Sequence, residues 1–433
     1  MSLSVLILAA GKGSRMKSKL PKVLHEVGNA PMIYYPIDLA KRIQANKVVT
    51  VIGKKYEHIK NTILSFSDDL GIVEQPDPLG TGHAVLCAKK YFEDFNGNLL
   101  ILLGDCPFIS EKSINNLINL RESGVDLAVL GFNTKDAKSY GRLVLDANGE
   151  LEKIVEANDA TPQEEAINFC NSGVMIANSR LLFSLLERVS NSNTADEFYL
   201  TDIVALAKSD NLTVGSTSCS EKEAQGINDH SDLAAAEEHF QNTKRVEMMR
   251  QGITLIASST IFFSFDTTLG SDTVVEPNVV FGPGVNVGSN VRIKSFSHLE
   301  GCLIKSNVTI GPFARIRPET VLNEGVKIGN FVEIKKSTLQ RNVKANHLSY
   351  IGDASIGEGT NVGAGTVFCN YDGSSKSSIE VGENSFIGSN VSLVAPLAIG
   401  DRAILGAGST ITDDVPKDSL ALGRNRQINK TKK

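Results

Sequence analysis

Apolar residues follow two different patterns along the chain, and the change falls near residue 252. Up to about residue 230, short apolar runs at 48–53, 99–105 and 127–130 alternate with stretches of helical periodicity such as 111–122. This alternation predicts an α/β domain with a mostly parallel sheet. Ligands of such sheets bind at the carboxyl ends of the strands.

Beyond residue 252 the apolar residues recur at every sixth position. The series runs Val275, Phe281, Val287, Ile293, Leu299, then after a slip of one residue Ile304, Ile310, Ile316, Leu322, Ile328, Ile334, and later Val381, Ile387, Leu393, Ile399, Leu405, Ile411. A period of six is typical of the hexapeptide repeats of a parallel β-helix, in which three hexads form one triangular coil. The pattern predicts interruptions at 339–350 and 370–378, where a solenoid commonly places its binding loops.

The segment between the two patterns predicts a linker helix. Residues 231–251 contain no Pro, are rich in Ala and Glu, begin with Ser-Asp and are followed by Gly252. A chain of 433 residues also exceeds one ordinary core. We therefore expect a first domain at 1–230, a linker helix at 231–251 and a β-helix domain at 252–433.

Composition narrows the class of protein. A content of 41% hydrophobic and 21% charged residues is typical of a soluble globular protein, and the net charge of −5 disfavours nucleic acid as a partner. No apolar stretch is long enough to span a membrane, and the N-terminus runs directly into an apolar strand without room for a signal peptide. The six cysteines form no Cys-x-x-Cys pair, so we expect reduced thiols and a cytoplasmic protein.

A glycine-containing loop follows the first apolar run, at 5–10. Gly11 and Gly13 allow a tight turn and a close approach of a ligand to the backbone, and cations follow at Lys12, Arg15 and Lys22. Free backbone N–H groups with cations favour a polyphosphate. The spacing fits neither the dinucleotide fingerprint nor the P-loop. On spacing alone, an ordinary turn with solvated cations remains the alternative.

Asp105 ends the apolar run at 99–105 and should share one crevice with Gly11. Mg²⁺ takes one or two carboxylates together with substrate phosphates, which suits a carboxylate beside a phosphate loop. The alternative interpretation is a helix N-cap before Pro107.

The full strings at 8–16 and 21–24 resemble the signature of sugar-nucleotide pyrophosphorylases. That resemblance implies that the glycine loop and Arg15 grip a nucleoside triphosphate, that Lys22 contacts phosphate and that Asp105 holds the metal. Further stretches resemble the uracil-reading segment (Gln75 and 79–84), the sugar-binding segments (139–142, 154–156 and 171–173) and the turn whose Asn228 is the second metal ligand. Taken alone, His83 in the uracil segment would be interpreted as a structural histidine.

With the hexapeptide repeats added, the whole chain resembles the bacterial bifunctional N-acetylglucosamine-1-phosphate uridylyltransferases and glucosamine-1-phosphate N-acetyltransferases. The resemblance implies a Rossmann-like nucleotidyltransferase domain followed by a left-handed parallel β-helix. It also implies Mg²⁺ as cofactor and acetyl-CoA, UTP, glucosamine 1-phosphate and N-acetylglucosamine 1-phosphate as substrates. The expected assembly is a homotrimer with neither a nucleic-acid nor a membrane partner.

The same resemblance assigns residues to both sites. In the first domain it implies catalytic Arg15 and Lys22, metal ligands Asp105 and Asn228, and substrate contacts from Leu8, Ala9, Ala10, Gly11, Lys22, Gln75, Gly80, Thr81, Leu103, Gly104, Gly141, Glu156, Asn171 and Asn228. In the second it implies His347 as the base, sugar-phosphate contacts from Arg317, Lys335, Tyr350 and Asn361, and acetyl-CoA contacts from Ala364, Asn370, Tyr371, Ser389, Ala407 and Arg424.

His347 also has a simpler interpretation, as a histidine that caps its loop. The catalytic interpretation rests on chemistry, because an ammonium group has no lone pair and acetylation of an amine needs a base that works near neutral pH. Glu333 is expected to orient or tune the imidazole. Two rival functions remain at this point: a related nucleotidyltransferase, such as the ADP-glucose and mannose-1-phosphate enzymes, whose β-helix only regulates, and a scaffold with a decayed first domain.

Overall fold

The computed structural model describes residues 2–54, 57–67, 69–137 and 139–431. The chain divides into two compact units, Met1–Ala236 and Glu237–Lys433. The helix expected at 231–251 forms as His230–Arg250, and the division between the units falls within it. None of the helices in the described ranges combines the length and the apolar character that a membrane span requires.

The first unit is an α/β domain. Its strands are β1 Leu3–Ala9, β2 Glu26–Val27, β3 Ala30–Pro31, β4 Lys47–Gly53, β5 Gly71–Gln75, β6 Asn98–Leu103, β7 Leu127–Asn133, β8 Arg142–Leu145, β9 Leu151–Val155, β10 Phe169–Asn178 and β11 Val214–Cys219. Its helices are α1 Tyr34–Arg42, α2 Glu57–Phe66, α3 Thr81–Cys87, α4 Glu111–Glu122, α5 Pro162–Glu165, α6 Ser179–Leu186, α7 Asp202–Ser209 and α8 Glu221–Ala224, followed by α9 His230–Arg250.

The main sheet has the order β11-β7-β10-β6-β1-β4-β5, with β8 and β9 extending from β10. Neighbouring strands are parallel except at β10, which runs antiparallel to both β6 and β7. The central strands are apolar on both faces because helices cover both sides. Alternate residues of β1 enter different cores: Leu6 packs into one, and Val5 and Ile7 into the other. The predicted α/β class with a mostly parallel sheet is confirmed.

The second unit is a parallel β-helix. Its strands are β12 Thr254–Leu255, β13 Thr268–Leu269, β14 Val274–Val275, β15 Val280–Phe281, β16 Asn286–Val287, β17 Arg292–Ile293, β18 His298–Leu299, β19 Cys302–Ile304, β20 Thr309–Ile310, β21 Arg315–Ile316, β22 Thr320–Leu322, β23 Lys327–Asn330, β24 Glu333–Lys335, β25 Thr338–Leu339, β26 Lys344–His347, β27 Tyr350–Gly352, β28 Ala354–Ile356, β29 Asn361–Val362, β30 Val367–Cys369, β31 Ile379–Val381, β32 Phe386–Ile387, β33 Ser392–Val394, β34 Leu397–Ile399, β35 Ile404–Leu405, β36 Thr410–Ile411 and β37 Leu420–Ala421. They form three sheets of 10, 8 and 8 strands, in which strands three apart along the chain pair with each other except at the two ends of the ten-stranded sheet, where β12 pairs with β14 and β35 with β37. The apolar residues predicted from the sixfold period are buried in one continuous core.

One of the two predicted interruptions is wrong. Residues 339–350 continue the coil through β25, β26 and β27. Ala345 occupies the inward position six residues after Leu339 and six before Ile351, and it is fully buried. The sequence pattern missed this hexad because its inward residue is small. The second interruption, at 370–378, is confirmed as a loop between β30 and β31.

Candidate active sites

A cleft of about 380 Å³ lies at the carboxyl ends of β1 and β6 in the first unit. The structure brings nine of the predicted residues to its wall: Leu8, Arg15, Thr81, Leu103, Asp105, Gly141, Glu156, Asn171 and Asn228. The register explains the position, because Leu8 at the end of β1 lies opposite Leu103 at the end of β6. The loops that follow these two strands therefore open into the same crevice, as the parallel sheet predicted.

Four charged or polar side chains from distant parts of the chain form one cluster at this cleft. The ammonium of Lys22 forms an ion pair with the carboxylate of Asp105 and donates to Oδ1 of Asn228 at 2.9 Å. Arg15 Nη2 donates to the same amide oxygen at 2.8 Å. The side chains of Lys22 and Asp105 are only 11% and 26% exposed, so each charge offsets the desolvation of the other.

The helix-cap interpretation of Asp105 is wrong. The helix that follows, α4, is capped by Ser110, whose hydroxyl accepts from the backbone N–H of Ser113. Asp105 points instead to Lys22 in the cleft.

The oxygens of Asp105 and Asn228 suit a divalent cation. Both oxygens already converge on one cationic atom, Nζ of Lys22. Within the described ranges, no three His, Cys, Asp or Glu side chains gather into a complete metal site. One carboxylate and one amide fit an ion that takes its remaining ligands from phosphate and water, and Mg²⁺ commonly binds in this way.

The glycine loop is shaped around Lys22. Gly13 has φ +61°, and a Cβ on it would stand 2.6 Å from Cβ of Lys22. Both the left-handed backbone and the lack of space for a side chain therefore favour glycine here. A short 3₁₀ turn, Ser14–Met16, follows and places Arg15 toward Asn228.

Gln75 and Gly80, both expected to contact the base, lie side by side. Nε2 of Gln75 donates to the carbonyl of Gly80 at 3.1 Å and lies 3.1 Å from Nδ1 of His83. An amide nitrogen only donates, so Nδ1 of His83 accepts and its proton is on Nε2. His83 therefore accepts a hydrogen bond from Gln75 and helps to position it, which agrees with the structural interpretation of this histidine.

Glu156 also lines the cleft. Burial raises the pKa of its carboxyl above the ordinary value, and the charges of Asp202 and Asp159 raise it further. Thr201 donates to Oε1 at 2.9 Å, which favours the ionised form. Sequence reasoning missed Thr201, since nothing in the stretch before α7 distinguishes it from an ordinary helix start.

Cys106 follows the predicted metal ligand and lines the cleft. Burial raises the pKa of its thiol well above the ordinary value, and the neighbouring Asp105 charge adds to the effect. A thiol held neutral in this way is a weak nucleophile. Cys106 is therefore a small packing residue.

In the β-helix, a second group of predicted residues gathers around Gly352. Lys335 on β24 is in register with Gly352, and a Cβ on that glycine would stand 2.5 Å from the hydroxyl of Tyr350 and 2.9 Å from Nδ2 of Asn370. Asn370 reaches this point from the loop at 370–378 and donates to Asp353. Asn361 lies apart from this group, on the ten-stranded sheet in register with Lys344.

Lys376, on the same loop, joins this group and was missed by the sequence analysis. A hydrogen bond with Lys335 and the repulsion between the two ammonium groups lower the pKa of Lys376. Two cations at such close range favour an anion between them. The signal in the sequence was a lysine within the predicted binding loop, but its partner could not be identified without the coil register.

Arg317 is held by a carboxylate on the next coil. Its Nη1 donates to Oε1 of Glu333 at 2.8 Å. The ring of His347 is paired differently, with Nδ1 3.0 Å from Oδ1 of Asn330. The expectation that Glu333 orients the imidazole is therefore wrong. The carboxylate of Glu333 pairs with Arg317, and Nδ1 of the His347 ring pairs with Asn330.

His347 and three predicted acetyl-CoA residues occupy equivalent positions on successive coils. Ala345, Val362, Ile387 and Leu405 are in register, and two residues beyond them stand His347, Ala364, Ser389 and Ala407. We call these four residues the acetyl column. Arg424 adjoins its far end, with Cδ 3.9 Å from the position of a Cβ on Gly408. Tyr371 lies outside the column, on the loop, where its hydroxyl donates to the carbonyl of Gly373.

Three family descriptions match the chain. Residues 5–199 match the MobA-like NTP transferase domain, residues 266–301 match the bacterial transferase hexapeptide with six repeats, and residues 298–420 match the GMPPB C-terminal domain. These matches follow the two units of the structure.

Relatives match over nearly the whole chain. The bifunctional protein GlmU of Paramagnetospirillum magneticum is 47% identical over 428 residues, which cover 98% of this chain and 94% of the relative. The proteins of that name from Zymomonas mobilis and Ruegeria sp. are 46% and 48% identical, each covering 99% of this chain and 95% of the relative. The resemblance found in the sequence is thereby confirmed, and the chain belongs to the family of the bifunctional protein GlmU.

Proposed function

We propose that the two reactions of this bifunctional enzyme take place at the two sites described above. The β-helix transfers an acetyl group from acetyl-CoA to the amine of glucosamine 1-phosphate. The first unit then joins N-acetylglucosamine 1-phosphate to UTP, giving UDP-N-acetylglucosamine and pyrophosphate. The observation that carries the assignment is the cluster of Arg15, Lys22, Asp105 and Asn228 at the cleft where the strands β1 and β6 end.

Uridylyl transfer needs positioning and charge neutralisation more than acid–base chemistry. The sugar phosphate attacks the α-phosphorus of UTP, and Arg15 and Lys22 are the cations at hand to neutralise the phosphates. Mg²⁺ held by Asp105 and Asn228 would supply further charge neutralisation at the same place. Glu156, held by Thr201, also lines the cleft and is an acceptor for sugar hydroxyls.

Acetyl transfer needs a neutral amine. His347 takes the proton as the amine attacks the thioester, and the thiol of CoA leaves. Lys335 and Lys376 form the cationic pair that suits the sugar phosphate. The acetyl column, which begins at His347, supplies small side chains along which the acetyl donor can lie.

One assay tests both assignments. The full-length protein is incubated with glucosamine 1-phosphate, acetyl-CoA, UTP and Mg²⁺, and thiol and pyrophosphate release are measured separately. We expect thiol release first, and pyrophosphate release only after acetylation or when N-acetylglucosamine 1-phosphate is supplied directly. Pyrophosphate without any thiol would contradict the acetyltransferase assignment and favour a β-helix that only regulates.

We also propose that the chain works as a homotrimer held by its β-helix. Phe296, Phe313, Phe331 and Leu348 form a ridge on successive coils, and each is 46–60% exposed. The rings of the three phenylalanines stack with centroids 5.0 and 5.1 Å apart. Continuous exposed apolar surface of this kind is typical of an interaction site. Leu348 directly follows His347, so a neighbouring subunit on this ridge would border the acetyl-transfer site.

Replacing Phe313 and Phe331 by Asp should dissociate the trimer. Both residues have left-handed backbone (φ 55° and 56°), which Asp adopts more readily than Phe, so the coil itself should remain intact. We expect light scattering to report a smaller species with weakened acetyl transfer and unchanged uridylyl transfer. Phe386→Asp, at a half-exposed residue on β32, is the matched control. A double variant that stays trimeric would exclude the ridge as the interface.

The location that suits this chemistry is the cytoplasm. All six cysteines are free thiols, and the substrates are small soluble metabolites. We propose that neither a nucleic acid nor a membrane is a partner of this protein.

A further inference from the structure

We propose that Asn330 is a positioning residue that holds His347 in the tautomer able to accept a proton from the substrate amine. This inference rests on the acetyl-transfer function proposed above. It concerns a residue that sequence reasoning did not single out, and it replaces the role expected of Glu333.

The coil register brings the two side chains together. Asn330 is the last residue of β23 and His347 the last of β26, and the two are paired in register on adjacent coils. The backbone N–H of Leu348 also donates to the carbonyl of Asn330 at 3.0 Å, which fixes the two strand ends to each other. The 3.0 Å distance between Oδ1 and Nδ1 is therefore set by the fold.

The contact selects one tautomer. An amide oxygen can only accept a hydrogen bond, so Nδ1 of His347 carries the proton. A neutral imidazole has one N–H, which leaves the lone pair on Nε2. Nε2 is the nitrogen that must meet the amine, and the side chain of His347 is exposed at the strand end.

An amide differs from a carboxylate in this position. A carboxylate would fix the same tautomer but would also stabilise the imidazolium by its charge. Asn330 adds no charge, and Glu333, the carboxylate nearby in the sequence, is paired with Arg317. The charged side chains on the two strands are Lys327 and Lys344, which face each other and are exposed. Asn330 thus orients the ring without opposing release of the proton after acetylation.

Asn330 also stands on the correct side of the histidine. The acetyl column continues from His347 to Ala364, Ser389 and Ala407 on later coils, whereas Asn330 belongs to the preceding coil. The ring is held from one side and the acetyl donor approaches from the other.

The test compares Asn330→Leu with Asn330→Asp in the full-length protein. Leu has the same number and branching of side-chain heavy atoms as Asn but cannot accept a hydrogen bond, so kcat for acetyl transfer should fall about tenfold to a hundredfold with little change in KM for glucosamine 1-phosphate. Asp keeps an accepting oxygen and should restore most of the turnover. Asn323→Leu removes other contacts between coils, from Nδ2 of Asn323 to the carbonyl of Leu339 at 3.1 Å and to Oε1 of Gln340 at 3.2 Å, and should leave both activities unchanged.

A second readout separates orientation from a merely structural role. In protein labelled with ¹⁵N-histidine, the ring signals of His347, identified by their loss in a His347→Gln variant, should show a protonated Nδ1 in the wild type and a mixture of tautomers in Asn330→Leu. Unchanged tautomer and kcat in Asn330→Leu would overturn the inference, as would an Asn330→Asp variant as slow as Asn330→Leu. An effect on KM alone would overturn it too, since it would indicate a substrate contact. Absence of acetyl transfer in the wild type would instead refute the proposed function.

Discussion

Replacing Asp105 by Asn should abolish pyrophosphate release and leave thiol release unchanged. The variant loses the carboxylate that pairs with Lys22 in the cleft, and with it the charge that would bind a divalent cation. Loss of that charge stabilisation is expected to slow uridylyl transfer on the order of a hundredfold or more. The measurement is the same two-product assay, with N-acetylglucosamine 1-phosphate and UTP supplied for one reaction and glucosamine 1-phosphate and acetyl-CoA for the other.

The structure adds a second consequence of this change. Asp105 is the anionic partner of Lys22, so the variant removes the negative charge paired with a mostly buried ammonium, which keeps its bond to the Asn228 oxygen. Asp210→Asn is the matched control, because it removes the carboxylate of an ion pair, with Arg188, that lies on the surface of the same unit. Exposed pairs contribute little to stability, so this control should behave like the wild type. Near-normal pyrophosphate release by Asp105→Asn would reject the metal role, and equal loss of both activities would indicate misfolding.

The general architecture of both units could be predicted because each has a local periodic signal. Apolar runs such as β1 and β6 are continuous because both faces are buried, and the sixfold period follows directly from the inward residues of the coil. The antiparallel direction of β10 could not be predicted in this way. Strand direction depends on the connections between strands, and the composition of Phe169–Asn178 does not reveal it.

The sites were predictable only in part, for a related reason. The apolar strands that end at Gly11 and Asp105 placed both at one edge of the sheet, whereas the contact of Asn228 with Arg15 and Lys22 joins residues more than two hundred positions apart. Only resemblance to a family placed Asn228 at this site, as a metal ligand, and the contacts with Arg15 and Lys22 were not predicted.

In the β-helix, side-chain neighbours are set by the length of each coil. Asn330 and His347 are 17 residues apart, but Thr360 and Ser385 on later coils are 25 apart, because the loop at 370–378 lengthens that turn. The contacts of Asn330 and Lys376 therefore could not be read from spacing.

His347→Ala should lower the turnover of acetyl transfer by roughly a hundredfold to ten-thousandfold. The histidine stands at the exposed end of β26, at the head of the acetyl column, and its Nδ1 is already occupied by Asn330. Removing the ring takes away the proton acceptor without opening a cavity in the core. Binding of acetyl-CoA, measured by calorimetry, and uridylyl transfer should therefore change little.

The dependence of this variant on pH distinguishes a lost base from a lost binding contact. Without a protein base, only the fraction of amine that is already neutral can react, so the variant's rate should keep rising across about pH 6 to 9 and its loss relative to the wild type should be largest at the acidic end of that range. His298→Ala is the control, since His298 is also an exposed strand residue of the β-helix, on β18. A variant that keeps the wild-type rate over this range would assign the base to another group. Glu333 would then be tested next, although its pairing with Arg317 leaves it poorly placed to take the proton.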